Sequence, residues 1–227
     1  MARPEKHFGH WFIVHCNLIR QLQALAFPMV ANIIGEYFQT PQMADGCKMQ
    51  EDIQRILLDR PIIESRVKEM AGQIAAVYGQ TEFVLMPLLT GSIIFVADLV
   101  RQLPVRMRID VLAVSSYPGR AIASQGPRIL YPTEFNVAGK HVLVIDDILD
   151  SGRTLKAVYD LLGQQGAASV RSCVLVRKQV AQAQQITADF IGFDIPDEFV
   201  VGYGLDYNNY YRNLPYIAIL HPRIFSP

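Results

Sequence analysis

Apolar positions Ile63, Val67, Met70, Ile74 and Val77 recur at steps of four, three, four and three residues. That spacing puts them on one face of a helix. Glu64 and Lys68 lie four apart on the outer side, placed to pair, and Gly79 marks the end. The pattern then changes. Residues 82–89 (EFVLMPLL) form a short, strand-like apolar run, and TGS follows at 90–92. Residues 93–103 (IIFVADLVRQL) are apolar nearly all round, which predicts a buried helix. VRMRIDVLAVSS (105–116) reads as one strand. YPGRAIASQGPRILYP (117–132) has Gly and Pro near both ends and no period, and reads as a long loop. A loop that long in a compact domain is a lid, a binding loop or disordered chain. KHVLVIDDI (140–148) is a further strand, and Leu155, Val158, Leu161 and Leu162 mark a helix face. SVRSCVLV (169–176) is again strand-like, as are three shorter runs: DFIGF (189–193), FVVGYG (199–204) and YIAIL (216–220).

Strands alternating with helices predict an α/β domain with a mainly parallel central sheet flanked by helices. Ligands of such sheets bind at the carboxyl ends of the strands. Both TGS (90–92) and DDILDSGRT (146–154) fall there. The glycines of GYGLDY (202–207) do not make a dinucleotide motif, because Tyr207 stands where a third Gly belongs and no helical pattern follows.

Composition supports a globular chain. Of 227 residues, 51% are hydrophobic and 19% charged, which suffices for a sizeable core. The formal net charge is +0, whereas a chain that grips nucleic-acid backbone carries a basic excess. The 3 cysteines (Cys16, Cys47 and Cys173) are odd in number and widely spaced, which fits a reducing, cytosolic setting. Three of the 5 histidines (His7, His10 and His15) cluster early but lack partners at ligand spacing. The first forty residues are apolar in patches interrupted by Asn17, Arg20 and Gln21, a poor membrane span. They read either as an amphipathic helix or as sequence outside the mature protein, with Met43 or Met49 as the working start. The expected organisation is an extension over 1–45 and one domain over 46–227.

The chemistry concentrates in VLVIDDILDSGRTL, residues 142–155. Ser151, Gly152, Arg153 and Thr154 lie between a strand end and a helix start. Amides in such a turn point outward together, and the helix dipole adds positive potential, so the turn suits a phosphate. A plain helix cap is the alternative use of the same residues. Asp146, Asp147 and Asp150 are acids beside that anion site and need a different partner. Sugar hydroxyls donate to carboxylates. A hydrated Mg2+ takes carboxylate and phosphate oxygens together. A phosphorylated ribose carrying a metal-bound pyrophosphate satisfies both halves.

This stretch resembles the phosphoribosyl-diphosphate (PRPP) motif of the type I phosphoribosyltransferases. The segments LLTGSIIFVADLVR, SSY and IGFDIPDEFVVGYGLDYNNYYRNLPYIAIL resemble the hypoxanthine phosphoribosyltransferases within that family. The likeness runs from about Ile56 to Leu220. It implies the family's fold, with a small hood region beside the sheet. It also implies a purine-salvage activity: ribose 5-phosphate passes from PRPP to hypoxanthine, and to guanine, with Mg2+ as cofactor.

By the same resemblance, Asp146 and Asp147 would hold the ribose hydroxyls directly or through Mg2+. Asp150 would accept the purine N7 proton, and Ser151, Gly152, Arg153 and Thr154 would cradle the 5-phosphate. Thr90 and Gly91, with Ser92, would form the pyrophosphate loop, and many relatives carry Lys where this chain has Thr90. Ser116 and Tyr117 would begin a loop that closes over the site. Lys178 would donate to the 6-oxo group, and Phe199 would stack on the base. Val200 and Asp206 would offer backbone carbonyls to the base, Asp206 would also bind Mg2+, and Arg212 would reach the pyrophosphate. Expected partners are PRPP, a 6-oxopurine and further copies of the chain in a dimer or tetramer, with no nucleic acid and no membrane. Two other uses stay open at this point: a PRPP- or nucleotide-sensing regulator on the same fold, or an enzyme preferring xanthine or guanine.

Overall fold

A computed structural model describes residues 48–115, 128–131, 136–180 and 186–225. The extension over 1–45, the Met43 start, the early histidines, Ser116, Tyr117 and most of the long loop lie outside the described residues. The described fold belongs to a unit that begins at Met49.

Two helices and a strand lead into the sheet. A single turn, α1 (Lys48–Glu51), precedes β1 (Ile53–Leu58). Helix α2 (Arg60–Tyr78) starts where the Asp59 side chain accepts the Ile62 N–H at 3.0 Å, with Pro61 in the first turn where no amide partner is needed. It stops at Gly79, whose φ of 56° a side-chain-bearing residue adopts only with strain. Replacing Asp59 with Ala costs about 1 kcal/mol, read as a lower urea midpoint at unchanged m-value. Ile63, Val67, Met70, Ala71, Ile74 and Tyr78 are buried, so the helical stripe is as expected except that Val77 is exposed. Glu64 pairs with Arg60 (2.6 Å) rather than with Lys68, one helical turn in the other direction.

β2 (Phe83–Leu89) has Phe83 to Leu88 buried, as a strand covered on both faces must be. It is followed by α3 (Ile93–Gln102), β3 (Met107–Ile109), β4 (Leu112–Ser115) and β5 (Arg128–Tyr131). Then come β6 (His141–Leu149), α4 (Arg153–Gln164), β7 (Ser169–Lys178) and β8 (Phe190–Ile195). The sheet order is β5-β4-β2-β6-β7-β8, with β3 on the same edge of β2 as β4. β2, β3, β4, β6, β7 and β8 pair in parallel, and only β5 runs antiparallel, against β4. Ile63, Met70, Phe95, Leu99, Leu143 and Leu175 pack one face, and Val84, Val142, Val144, Leu155, Val158 and Leu162 pack the other.

Three expectations need correcting. The expected single strand is two over residues 107–115, because the ladder to β2 breaks between Ile109 and Leu112: Asp110 still donates its N–H to the Leu85 carbonyl (3.1 Å), and its side chain then accepts the Val111 N–H (3.0 Å). Residues 128–131 of the expected loop form β5, paired with β4. Helix α3 is not buried all round. Phe95 and Leu99 face the core, while Ile93 and Ile94 at its first turn are exposed.

A second, three-stranded antiparallel sheet joins β1 to β10 (Ile217–Leu220) and β10 to β9 (Val200–Val201). A short 3-10 turn, Pro222–Ile224, follows. This sheet is the hood. Its own apolar cluster contains Val201, Tyr211, Leu214 and Leu220.

Candidate active site

The central strand β6 carries Asp146 and Asp147 near its carboxyl end, and the chain then turns through Asp150, Ser151 and Gly152 into α4. Gly152 is the helix-capping residue. Its φ of 76° is left-handed, and no side chain bonds from it into the helix. A side chain at Gly152 would also press on Ile186, 3.1 Å from its side chain and 3.3 Å from its amide. Arg153 and Thr154 form the first turn of α4.

Asp146 and Asp147 sit with little water. Asp146 accepts the Asp147 N–H at 3.1 Å, and Asp147 accepts the Ile148 N–H at 2.9 Å. Burial first, and the neighbouring Asp147 charge second, hold the Asp146 carboxyl well above the usual carboxylate range. Burial also pushes Asp147 up, opposed by its hydrogen bonds and by the Arg212 charge. A carboxylate raised above its ordinary value of 3.8 contributes to stability only where it is protonated. That contribution is complete below the unfolded value and is lost as pH rises through the folded one. Metal-free Asp146→Asn protein should therefore be more stable than the parent at neutral pH, by about 0.5–2 kcal/mol. The gap should close towards pH 4. Thermal melts in chelator across that range check it, and the same variant should be inactive.

β2 lies beside β6 and ends at Leu89, and Thr90 and Gly91 follow, with a cis peptide between Leu89 and Thr90. Thr90 is exposed. Ser92 is buried and donates to the Leu88 carbonyl at 2.6 Å, so its hydroxyl is engaged within the turn. A Cβ on Gly91 would lie 1.9 Å from Asp147 Oδ2. A Cβ on Gly204 would lie 2.1 Å from the Gly91 carbonyl oxygen. Gly91 is thus held between the acid pair and the hood loop.

β7, on the other side of β6, ends in Lys178. Its ammonium lies 3.9 Å from Asp150 Oδ2 and 3.4 Å from Asp197 Oδ1. Asp197, in the β8–β9 connection, was not anticipated; its only sequence signal is an acid two residues before Phe199. Phe199 directly precedes β9 and keeps 37% of its surface exposed. Val200 is in β9, paired with Ile219. Asp206 accepts the Asn209 N–H (2.8 Å) and pairs with Arg212 (2.7 Å). Arg212 also donates to the Gly204 carbonyl (2.6 Å) and to Asn209 Oδ1 (3.3 Å), so its fork braces the hood loop. Among the described residues no three acids, histidines or cysteines gather into one metal cage, so Asp206 is not clustered with Asp146 and Asp147. No helix among the described residues is long and apolar enough to cross a membrane.

An acid pair, a phosphate-type turn, a lysine beside an acid and an exposed aromatic ring thus occupy neighbouring strand ends and the hood. Residues 54–208 match the family model of the phosphoribosyl transferase domain. The chain is 37% identical over 178 residues to the hypoxanthine-guanine phosphoribosyltransferase of Bacillus subtilis (strain 168), covering 78% of this chain and 99% of that protein. It is 38% identical over 178 residues to the bifunctional protein TilS/HprT of Listeria innocua, covering 78% of this chain but spanning 28% of that protein's length. The crystal structure of a hypoxanthine phosphoribosyltransferase from Staphylococcus aureus superimposes with a TM-score of 0.75 at 36% identity, covering 81% of this chain and 100% of that one.

Proposed function

This chain belongs to the phosphoribosyltransferase family, and on that premise we propose that it is a purine-salvage enzyme that moves ribose 5-phosphate from PRPP to hypoxanthine and guanine, releasing pyrophosphate. The observation that carries the reading is the run from Asp146 to Thr154 at the end of the central strand, with Lys178 beside it on the next.

Bond breaking at the ribose carbon leaves a ring with oxocarbenium character. Catalysis then needs negative charge near the ring, donors around the leaving pyrophosphate and an acceptor for one purine proton. The turn over 151–154 takes the 5-phosphate on outward amides and the positive end of α4. Asp146 and Asp147 take the ribose hydroxyls. Asp150 receives the N7 proton as the purine attacks. Its 3.9 Å separation from Lys178 lets one purine edge meet both groups, N7 at the acid and the 6-oxo oxygen at the ammonium. Phe199 stacks on the ring, and the carbonyls of Val200 and Asp206 read its far edge. Thr90, Gly91 and Arg212, with Ser116 and Tyr117, surround the pyrophosphate. Thr90 brings no charge there, so binding relies on backbone amides and Arg212.

The donor set fits Mg2+. That ion keeps several waters and takes one or two carboxylates plus phosphate oxygens, so no cage of protein ligands is needed. Asp146 and Asp147, whose buried charges oppose each other, would hold one such ion beside the ribose hydroxyls, and Asp206, which stands apart from them, would hold one carried on the pyrophosphate, where it would neutralise charge on the leaving group.

We assign the enzyme domain to residues 46–227 and the first 45 to an extension. We further propose a homo-oligomer working in the cytoplasm. The test is a parallel spectrophotometric assay with PRPP and Mg2+ against hypoxanthine, guanine, xanthine and adenine. Nucleotide formation with hypoxanthine and guanine but not adenine is expected. PRPP binding with no turnover on any base would overturn the enzymatic reading in favour of a sensor.

A further inference from the structure

Phe199 has two aromatic neighbours. Phe225 stacks on it with ring centroids 5.0 Å apart and planes 26° from parallel. Tyr207 stands perpendicular to it, with centroids 5.5 Å apart at 88°, and lies 6.5 Å from Phe225 between centroids. The Phe199 ring therefore has one stacked and one perpendicular neighbour, yet 37% of the residue stays exposed. The backbone beneath is fixed too, since the Phe199 carbonyl accepts the Leu220 N–H at 3.0 Å. A half-exposed phenyl ring on a fixed backbone can still turn about its side-chain bonds. Only neighbours packed against it remove that freedom.

Phe225 is itself built in. It follows the 3-10 turn Pro222–Ile224, and Ile224 packs against the hood cluster. His221 N–H donates to the Asp52 carbonyl (2.8 Å), and Arg223 donates through its amide to His221 Nδ1 (3.3 Å) and through Nη2 to the Glu51 carbonyl (2.5 Å). A tail lying loosely over a pocket would lack such ties.

We propose that Phe225 is a positioning residue of the purine site: stacked on Phe199, it sets the plane of that ring so that its exposed part receives the base. This rests on the reading that Phe199 stacks on the purine. With Phe225 gone, the ring turns in the free protein and binding must order it again.

The test compares Phe225→Ala, Phe225→Leu, Phe225→Tyr and Phe199→Leu by steady-state kinetics and thermal melts. Phe225→Ala is expected to raise KM for hypoxanthine about three- to tenfold, with kcat and KM for PRPP moving less than about twofold. Phe225→Tyr, which keeps the flat ring, is expected to restore it. Phe225→Leu keeps apolar cover without a flat face and should fall between, which keeps the test alive if the Ala protein does not fold. Unchanged base KM in both the Ala and Leu proteins, with or without a lower Tm, overturns the proposal. So does a lowered KM, which would mean that Phe225 occupies the face the base needs. Unchanged base KM in Phe199→Leu sinks the stacking reading itself, separately from the role of Phe225.

Discussion

Replacing Asp150 with Asn is expected to lower kcat by about 10²- to 10⁴-fold while KM for hypoxanthine and PRPP stays within about threefold. Asparagine keeps the size and one acceptor oxygen of the carboxylate. It cannot take a proton, and it withdraws a negative charge from beside a ring that becomes cationic. Both losses bear on the transition state and hardly on the bound substrates, so they fall on kcat. Burial does not oppose the role, since the Asp150 side chain is 57% exposed and 3.9 Å from the Lys178 ammonium. Steady-state rates combined with PRPP binding to the variant provide the measurement. A loss of less than about tenfold would place the proton acceptor elsewhere.

Gly91→Ala should be nearly as damaging by a steric route. The new methyl would fall 1.9 Å from Asp147 Oδ2. Asp147 has little room to yield, because its Oδ1 already holds the Ile148 N–H at 2.9 Å. If the β2–α3 turn moves instead, its carbonyl is driven towards Gly204 on the other side. Displacing the acid pair or the pyrophosphate turn by about 1 Å costs on the order of 100-fold in kcat/KM. The loss should appear with PRPP as the varied substrate. Isothermal titration with PRPP and Mg2+ would separate weakened binding from slowed chemistry. A fully active, normally binding Ala variant would contradict the packing described for this turn.

How much was legible in the sequence depended on how local each feature is. The acids and the turn from Asp146 to Thr154 could be read because nine consecutive residues bring them together at one strand end. Lys178 and Phe199 could be placed on strand ends, but the chemistry assigned to them came from family resemblance alone. Gly91 was readable as a turn residue. The reason for a glycine was not, since Asp147 and Gly204 lie far from it in sequence. The contact of Asp197 with Lys178 and that of Phe225 with Phe199 likewise join distant segments that no periodicity marks. β1 was missed because its exposure alternates irregularly and its register with β10 shifts twice. The full burial expected for α3 overlooked Ile93 and Ile94, because an all-apolar helix does not say which of its sides meets a neighbour.

The hood's construction orders events during synthesis. β1 pairs with β10, joining Ile53–Leu58 to Ile217–Leu220 across most of the chain. The parallel core over β2–β7 needs only residues already translated by Lys178 and can condense while the ribosome is still working. The small sheet must wait until Leu220 emerges, because pairings between remote segments form late. A nascent chain stalled short of that point would therefore carry the strand ends that bear Asp146, Asp147 and Lys178 but no small sheet to hold Phe199 and Val200 beside them.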